Sequence, residues 1–177
     1  MIIADGISLI KIVYGRNERN EINERKEKKK MQLGIKQFHE LTTKELYEIL
    51  RVRAEVFVVE QNCVYQDLDE KDMESLHLFF EEKERIQAYL RVFRKDKEEG
   101  VVQLGRVLTT METRGSGLGL EILKQGLMSA KDHFGAEKVY IEAQCYAIGF
   151  YERVGFQVTS EEFLEDGIPH VEMRVSL

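Results

Sequence analysis

Residues 110–127 read TMETRGSGLGLEILKQGL: an arginine, then glycines at 115, 117 and 119, then an apolar helical pattern. Glycine is a poor helix former, so three of them at a helix mouth call for a reason other than helix stability. The first turn of a helix leaves backbone N–H groups without partners, and the helix dipole places partial positive charge there. Missing Cβ atoms let that backbone approach a bulky anion and adopt positive φ. Arg114 adds a forked donor for phosphate oxygens. Gly115, Ser116, Gly117, Leu118 and Gly119 therefore suit a diphosphate. Taken alone, the loop leaves a ligand-free turn equally open. A P-loop would need Gly-Lys-Ser/Thr where Leu118-Gly119-Leu120 stands, and a dinucleotide fingerprint would need glycine at Leu120 or Ile122, so both patterns fail. The run DLDEKD begins like a calcium loop at Asp67 and Asp69. Its sixth position is Asp72 and its twelfth Leu78, where that loop needs glycine and glutamate, so no metal site is read there. It reads instead as a solvated acidic rim.

These residues must be positioned by elements that the pattern also reveals. LGIKQFH fits a first strand, and Thr42 with Glu45 forms a capping box opening a helix through Leu46, Ile49, Leu50, Ala54 and Phe57. HLFFEE, RIQAYLRVFRK and VVQLGRVLTT read as three strands, broken at Lys83-Glu84 and at DKEEG as hairpin turns. A helix over Leu118–Phe134 shows Leu120, Leu123, Leu127, Ala130 and Phe134 on one face and stops at Gly135. KVYIEAQ alternates as a strand, AIGFYERV is a short helix, and FQVTS and HVEMRVSL supply two last strands. Hairpins followed by β-α-β-α-β predict one mixed α/β domain with helices on the faces of its sheet.

Arg114, Gly117 and Gly119 match Arg-x-x-Gly-x-Gly, and with AIGFYERVGF (147–156) the chain resembles the GNAT superfamily of acyl-CoA-dependent N-acetyltransferases from about Ile35 onward. RAEVFVVEQNCVYQDLDEKD (53–72), GRV (105–107) and EDGIPH (165–170) are similar to its ElaA-like subfamily. The resemblance implies a central, mostly antiparallel sheet of six or seven strands, splayed between the fourth and fifth. It also implies acetyl-CoA as acetyl donor and a direct attack by an amine on the thioester. Val107, Leu108 and Thr109 would pair their backbone with the pantetheine arm, and N–H groups near Leu108 would polarise the carbonyl. Tyr151 would protonate the leaving thiolate, with an ordinary pKa near 10, and Gln144, in place of the usual asparagine, would contact the cofactor. Val64 stands where the subfamily usually has proline. A base is needed as well. Glu142 lies on the strand beside the cofactor and faces the same way as Gln144, while Glu60, His77 and His170 are further candidates. Glu60, Gln61, Asp67, Asp69, His77 and His170 are expected to line the acceptor pocket, and the acidic groups favour a cationic primary amine of a small molecule or peptide. A non-catalytic acyl-CoA-binding sensor is the rival reading.

The 177 residues suffice for one domain with a real core. A formal charge of −6 argues against a general nucleic-acid or membrane-surface binder. No apolar run is long enough for a bilayer, and MIIADGISLIKIV lacks the basic start and small-residue cleavage site of a signal peptide. Cys63 and Cys145 form no framework, so a reducing cytoplasm is expected. Residues 1–30 carry +3, and from Asn17 to Lys30 only Ile22 is apolar. They read as a charged extension, a mobile arm or an exposed helix, ahead of a domain spanning 31–177. A sharper reading makes Met31 the natural start, since Arg25-Lys26-Glu27 can be encoded as a purine-rich ribosome-binding sequence. Monomer and homodimer both remain open.

Overall fold

In the computed structural model, which describes residues 31–177, the capping box forms. The Thr42 hydroxyl accepts from the Glu45 N–H at 3.2 Å, and the Glu45 carboxylate accepts from the Thr42 N–H at 2.8 Å. Two orphan donors of the helix start are thus satisfied. The expected charged extension, 1–30, lies outside the described residues. Strand β1 (Gln32–Gln37) precedes this cap, and helix α1 (Thr43–Arg53) follows it. The helix does not run on regularly through Phe57 as the pattern suggested. It widens into a π-helical stretch, Ala54–Glu60, a feature found mostly at functional sites.

Strands β2 (Leu76–Glu82) and β3 (Arg85–Arg94) meet at Lys83-Glu84, both with positive φ (51° and 61°). That is the signature of a two-residue turn whose twist matches the strands it joins. Strand β4 (Val101–Thr109) returns antiparallel to β3. Helix α2 (Leu118–Phe134) begins and ends where predicted, with Gly117 (φ 91°) before it and Gly135 (φ 62°) after it. Its deepest stripe is rotated from the leucine face read in the sequence and runs through Ile122, Leu123, Gly126, Ser129 and Ala130. Gly126 explains the rotation. A Cβ there would stand 2.9 Å from Leu104 and 3.0 Å from Leu90, so its absence lets the helix lie against the sheet.

Strand β5 (Lys138–Gln144), the short helix α3 (Ile148–Glu152), β6 (Gln157–Val158), β7 (Phe163–Glu165) and β8 (Ile168–Ser176) complete the domain. The sheet runs β1-β2-β3-β4-β5-β8, with β6 and β7 sharing the outer edge of β8. It therefore has eight strands, not six or seven. The additional one, β7, folds onto β8 through Asp166-Gly167 (φ 51° and 79°), an Asp-Gly hairpin signal that was present in the sequence. Every pairing is antiparallel except β4 with β5, and that pair touches only over Val101–Gln103 against Lys138–Tyr140. Beyond it the two strands part, as expected. Alternation on β3 divides the core: Ala88, Leu90 and Val92 pack with Ile122, Leu123 and Val139 beneath α2, while Tyr89 packs with Ile49, Val52 and Leu108 beneath α1.

Because Gly126 is a contact surface, Gly126→Val should destabilise the fold by about 1–3 kcal/mol through overpacking, although it replaces a poor helix former. Urea denaturation followed by circular dichroism measures this.

Candidate active site

The parting of β4 from β5 opens a cleft of about 730 Å³. Its walls are the far half of β4, the end of β5, the π-helical stretch, the start of α3 and the β7–β8 hairpin. Val107, Leu108, Thr109, Arg114 and Gly119 line it, and so do Glu142, Gln144, Tyr151, Glu60, Gln61, Asp69 and His170. Asp67 and His77, expected there, do not, and of the predicted glycine mouth Gly115, Ser116, Gly117 and Leu118 lie outside its lining. Asp67 is 4% exposed and lies behind the wall. The His77 ring is buried, with Nδ1 2.8 Å from the Tyr89 hydroxyl and Nε2 2.8 Å from the Asp72 carbonyl oxygen. Cys145 is also off the cleft, its thiol 3.5 Å from Glu162.

Gly115, Ser116, Gly117 and Leu118 form the exposed mouth of α2. Gly115 (φ 78°) and Gly117 (φ 91°) hold conformations that suit glycine, and nothing lies within 4 Å of where their Cβ atoms would be. Gly119 differs: a Cβ would touch Thr109 at 3.4 Å and Phe150 at 3.5 Å, so glycine here seats the helix start on β4 and α3. The Ser116 hydroxyl donates to the Thr113 carbonyl at 2.6 Å and accepts from the Leu118 N–H at 3.3 Å. Arg114 reaches Glu60 at 2.6 Å and the Thr109 carbonyl at 3.3 Å. Open space above glycine amides, beside a guanidinium, fits the diphosphate of a coenzyme A.

Opposite Leu90, β4 carries a bulge in which Arg106 and Val107 face a single residue, and Arg106 takes φ 55°. A bulge bends a strand and breaks its ladder. Past the bulge, the Thr110 N–H donates to Gln87 on β3 at 2.9 Å. By strand alternation the Thr109 N–H therefore points the other way, toward the opening. Arg106 holds its strained backbone by gripping Asp67, with Nε 2.7 Å from Oδ1. Arg53, fully buried on α1, takes Asp67 at 3.0 Å and Asp72 at 2.7 Å, and Arg91 takes Asp69 at 2.6 Å and Asp72 at 2.5 Å. The run expected to be a solvated acidic rim is thus a buried ion-pair network, and only Asp69 of its predicted members reaches the cleft. Its cations come from three elements far apart in the chain, which is why local charge counting missed them. Arg106 sat in the quoted GRV motif, but nothing in sequence signals its left-handed backbone.

Tyr151 also lines the cleft and is 9% exposed. Burial, with a smaller contribution from Tyr146, pushes its pKa above the ordinary phenol value expected from the sequence. Glu142 accepts from the Gln103 amide at 3.0 Å and from the Tyr140 hydroxyl at 2.9 Å. Gln61 donates to Gln144 at 3.2 Å, joining the π-helical stretch to β5. His170 is opposite Gln144 in the β5–β8 ladder.

Residues 28–177 match the family model described as an acetyltransferase (GNAT) domain. The chain belongs to the GNAT family. It is 36% identical to protein ElaA of Escherichia coli over 136 residues, 76% of this chain and 89% of that one. A UPF0039 protein of Schizosaccharomyces pombe is 40% identical over 149 residues, covering 83% and 98%. The crystal structure of E. coli ElaA shares the fold at a TM-score of 0.77 and 33% identity, covering 82% of this chain and 99% of that one. An acyl-CoA N-acyltransferase from Pseudomonas aeruginosa does so at 0.77 and 39% identity, with the same coverage. The chain is therefore an ElaA-like GNAT domain, and this fold implies binding of an acyl-CoA. No helix among the described residues is long and apolar enough to cross a membrane.

The network predicts acid lability. Burial alone would raise the Asp67 and Asp69 carboxyls, but Arg53, Tyr65 and Arg106 around the first, and Arg91 above all around the second, hold both below the usual range. Burial depresses His77 likewise. Each depressed folded-state value contributes stability that is whole above the unfolded value and is lost as pH falls through the folded one. The urea midpoint should therefore decline below about pH 6.5, as histidine protonates in the unfolded chain, and more steeply below about pH 4, as aspartates do. Arg53→Ala, which leaves Asp67 to Arg106 and Asp72 to Arg91 and empties a fully buried site, should cost about 3–5 kcal/mol; a loss under about 1 kcal/mol at neutral pH would mean the network behaves as a surface one.

Proposed function

We propose that the chain transfers an acetyl group from acetyl-CoA to a primary amine of a small molecule or peptide by direct attack. The observation that carries this reading is a juxtaposition. Arg114 and Gly119, at a helix mouth whose exposed Gly115 and Gly117 suit a diphosphate, line the same cleft as a buried, protonated tyrosine. Family membership supports the same reading, since a GNAT domain implies an acyl-CoA and an acceptor.

The roles follow from placement. Amides at the mouth of α2 and the Arg114 guanidinium hold the diphosphate. Val107, Leu108 and Thr109 offer the open edge of β4 to the pantetheine arm as an added strand would meet it. The thioester supplies an activated acetyl group. The Thr109 N–H and its neighbours on that edge stand where negative charge develops on the carbonyl oxygen, and fixed donors there favour the transition state. Gln144, tied to Gln61, borders the arm from the β5 side. Tyr151, kept protonated by burial, gives its proton to the departing thiolate. Glu142 and Glu60 put negative charge on the acceptor side, which favours a cationic amine.

Calorimetry with acetyl-CoA, and thiol release measured with a polyamine, a lysine-like amine and a peptide N-terminus, test the reading. Amine-dependent thiol release is expected. Tyr151→Phe should lower kcat by about 10²–10³-fold with acetyl-CoA affinity kept, whereas Arg114→Ala should weaken acetyl-CoA binding by about tenfold, the worth of one charge-assisted contact. Tight acetyl-CoA binding with no amine-dependent release would point to the acyl-CoA sensor instead. No heat at millimolar acetyl-CoA would overturn both.

A further inference from the structure

We propose that His170 is the general base of this site, taking a proton from the acceptor ammonium through Nε2. The proposal rests on the transfer reading above. An aliphatic amine enters at neutral pH as an ammonium, and only its lone pair can attack a carbonyl.

The tautomer comes first. His170 Nδ1 lies 2.8 Å from the Ile168 carbonyl oxygen. A carbonyl only accepts, so Nδ1 carries the hydrogen and donates it, and in the neutral ring Nε2 keeps its lone pair. Placement comes second. Residues directly opposite on antiparallel strands share a face, and His170 stands opposite Gln144. The ring is therefore on the sheet face of Gln144 and Glu142, and it lines the cleft together with Leu108 and Tyr151. Support comes third. The ring is 7% exposed and stacks on Phe163, with centroids 6.1 Å apart and planes at 25°. Glu165 Oε2 is 3.8 Å from Nε2, so the imidazolium made by proton transfer forms beside a negative charge.

The other candidate bases are committed elsewhere. His77 spends both nitrogens on Tyr89 and Asp72 outside the cleft. Glu60 is engaged by Arg114 at 2.6 Å, and Arg91 holds the Asp69 carboxyl in its charged form, which makes it a poor proton acceptor. Glu142 already accepts from Gln103 and Tyr140. Glu165 and Asp166 are exposed at the rim. Among the described residues lining the cleft, His170 Nε2 combines an uncommitted lone pair with a buried, fixed ring, and imidazole is the side chain whose ordinary pKa lies nearest the operating pH.

The step balances. Nε2 takes one proton from the ammonium, leaving a neutral amine and an imidazolium. The amine lone pair forms the C–N bond while the carbonyl π pair moves to oxygen. As that pair returns, the C–S bond breaks and the thiolate takes the Tyr151 proton. The second proton leaving the acylated nitrogen restores Tyr151 through solvent, and the imidazolium gives its proton to water. One proton is released per turnover.

Two substitutions and one spectroscopic measurement test this. His170→Asn keeps a side-chain N–H able to reach the Ile168 carbonyl but has no basic nitrogen, while His170→Ala removes both. With acetyl-CoA and whichever panel amine the wild type uses fastest, both should lose about 10²–10³-fold in kcat, with acetyl-CoA affinity unchanged and the urea midpoint of His170→Asn near that of the wild type. Added imidazole should restore part of the His170→Ala rate and none of the Tyr151→Phe rate. Nitrogen-15 NMR of the full chain should show the neutral His170 ring with its hydrogen on Nδ1. A wild-type kcat in His170→Asn, or a hydrogen on Nε2, overturns the assignment. A wild type without amine-dependent thiol release defeats the transfer reading itself, and with it this one, before any variant is made.

Discussion

Three guanidinium groups buried against one acidic loop set the shape of this domain's working end. Arg53 comes from α1, Arg91 from β3 and Arg106 from β4, and all converge on Asp67, Asp69 and Asp72. Taking such charges out of water is costly, and only close, nearly complete pairing offsets it. The pairing is close enough to tie the loop to three elements at once. Its consequence for chemistry lies in Arg106, whose side chain is anchored while its backbone adopts a left-handed conformation inside a strand. That conformation marks the bulge, which lies on the part of β4 beyond Gln103, where the strand has already left β5.

An open strand edge inside a sheet is ordinarily a liability, because its N–H and C=O groups are left unmatched. Here the edge faces a cleft whose wall carries Arg114 and Gly119 from the mouth of α2 together with carboxylates, a tyrosine and a histidine. The arrangement is polarised. Arg114 and the α2 dipole favour an anion on one side, and Glu142 and Glu165 favour a cation on the other. The Arg114–Glu60 contact joins the mouth of α2 to the π-helical stretch.

Most of the element pattern was legible before any coordinates. The capping box at Thr42, the bounds of α2 and the turn at Lys83-Glu84 are local features, dictated by hydrogen bonds and φ preferences within a few residues. The glycine-rich, positive-φ mouth of α2 was legible for the same reason. The π-helical widening after Arg53 was not, because an apolar spacing of three and four fits a regular helix equally well. The buried stripe of α2 was misjudged because Gly126, silent on any hydrophobicity scale, is the point of closest approach to the sheet. The DLDEKD run was read as solvated because its counter-ions lie 14 to 39 residues away in the chain.

By itself, then, the order of residues determined what each short segment would become and where a helix would open on glycines beside an arginine. Tertiary structure alone decided which charges are buried and which are free, that His77 is a structural ring while His170 lines the cleft, and that Arg106 would be anchored to Asp67. The physical reason is range. Turns, caps and helix dipoles are settled by neighbours in sequence, whereas desolvation, ion pairing and the facing of side chains depend on groups that meet only once the sheet has closed its register.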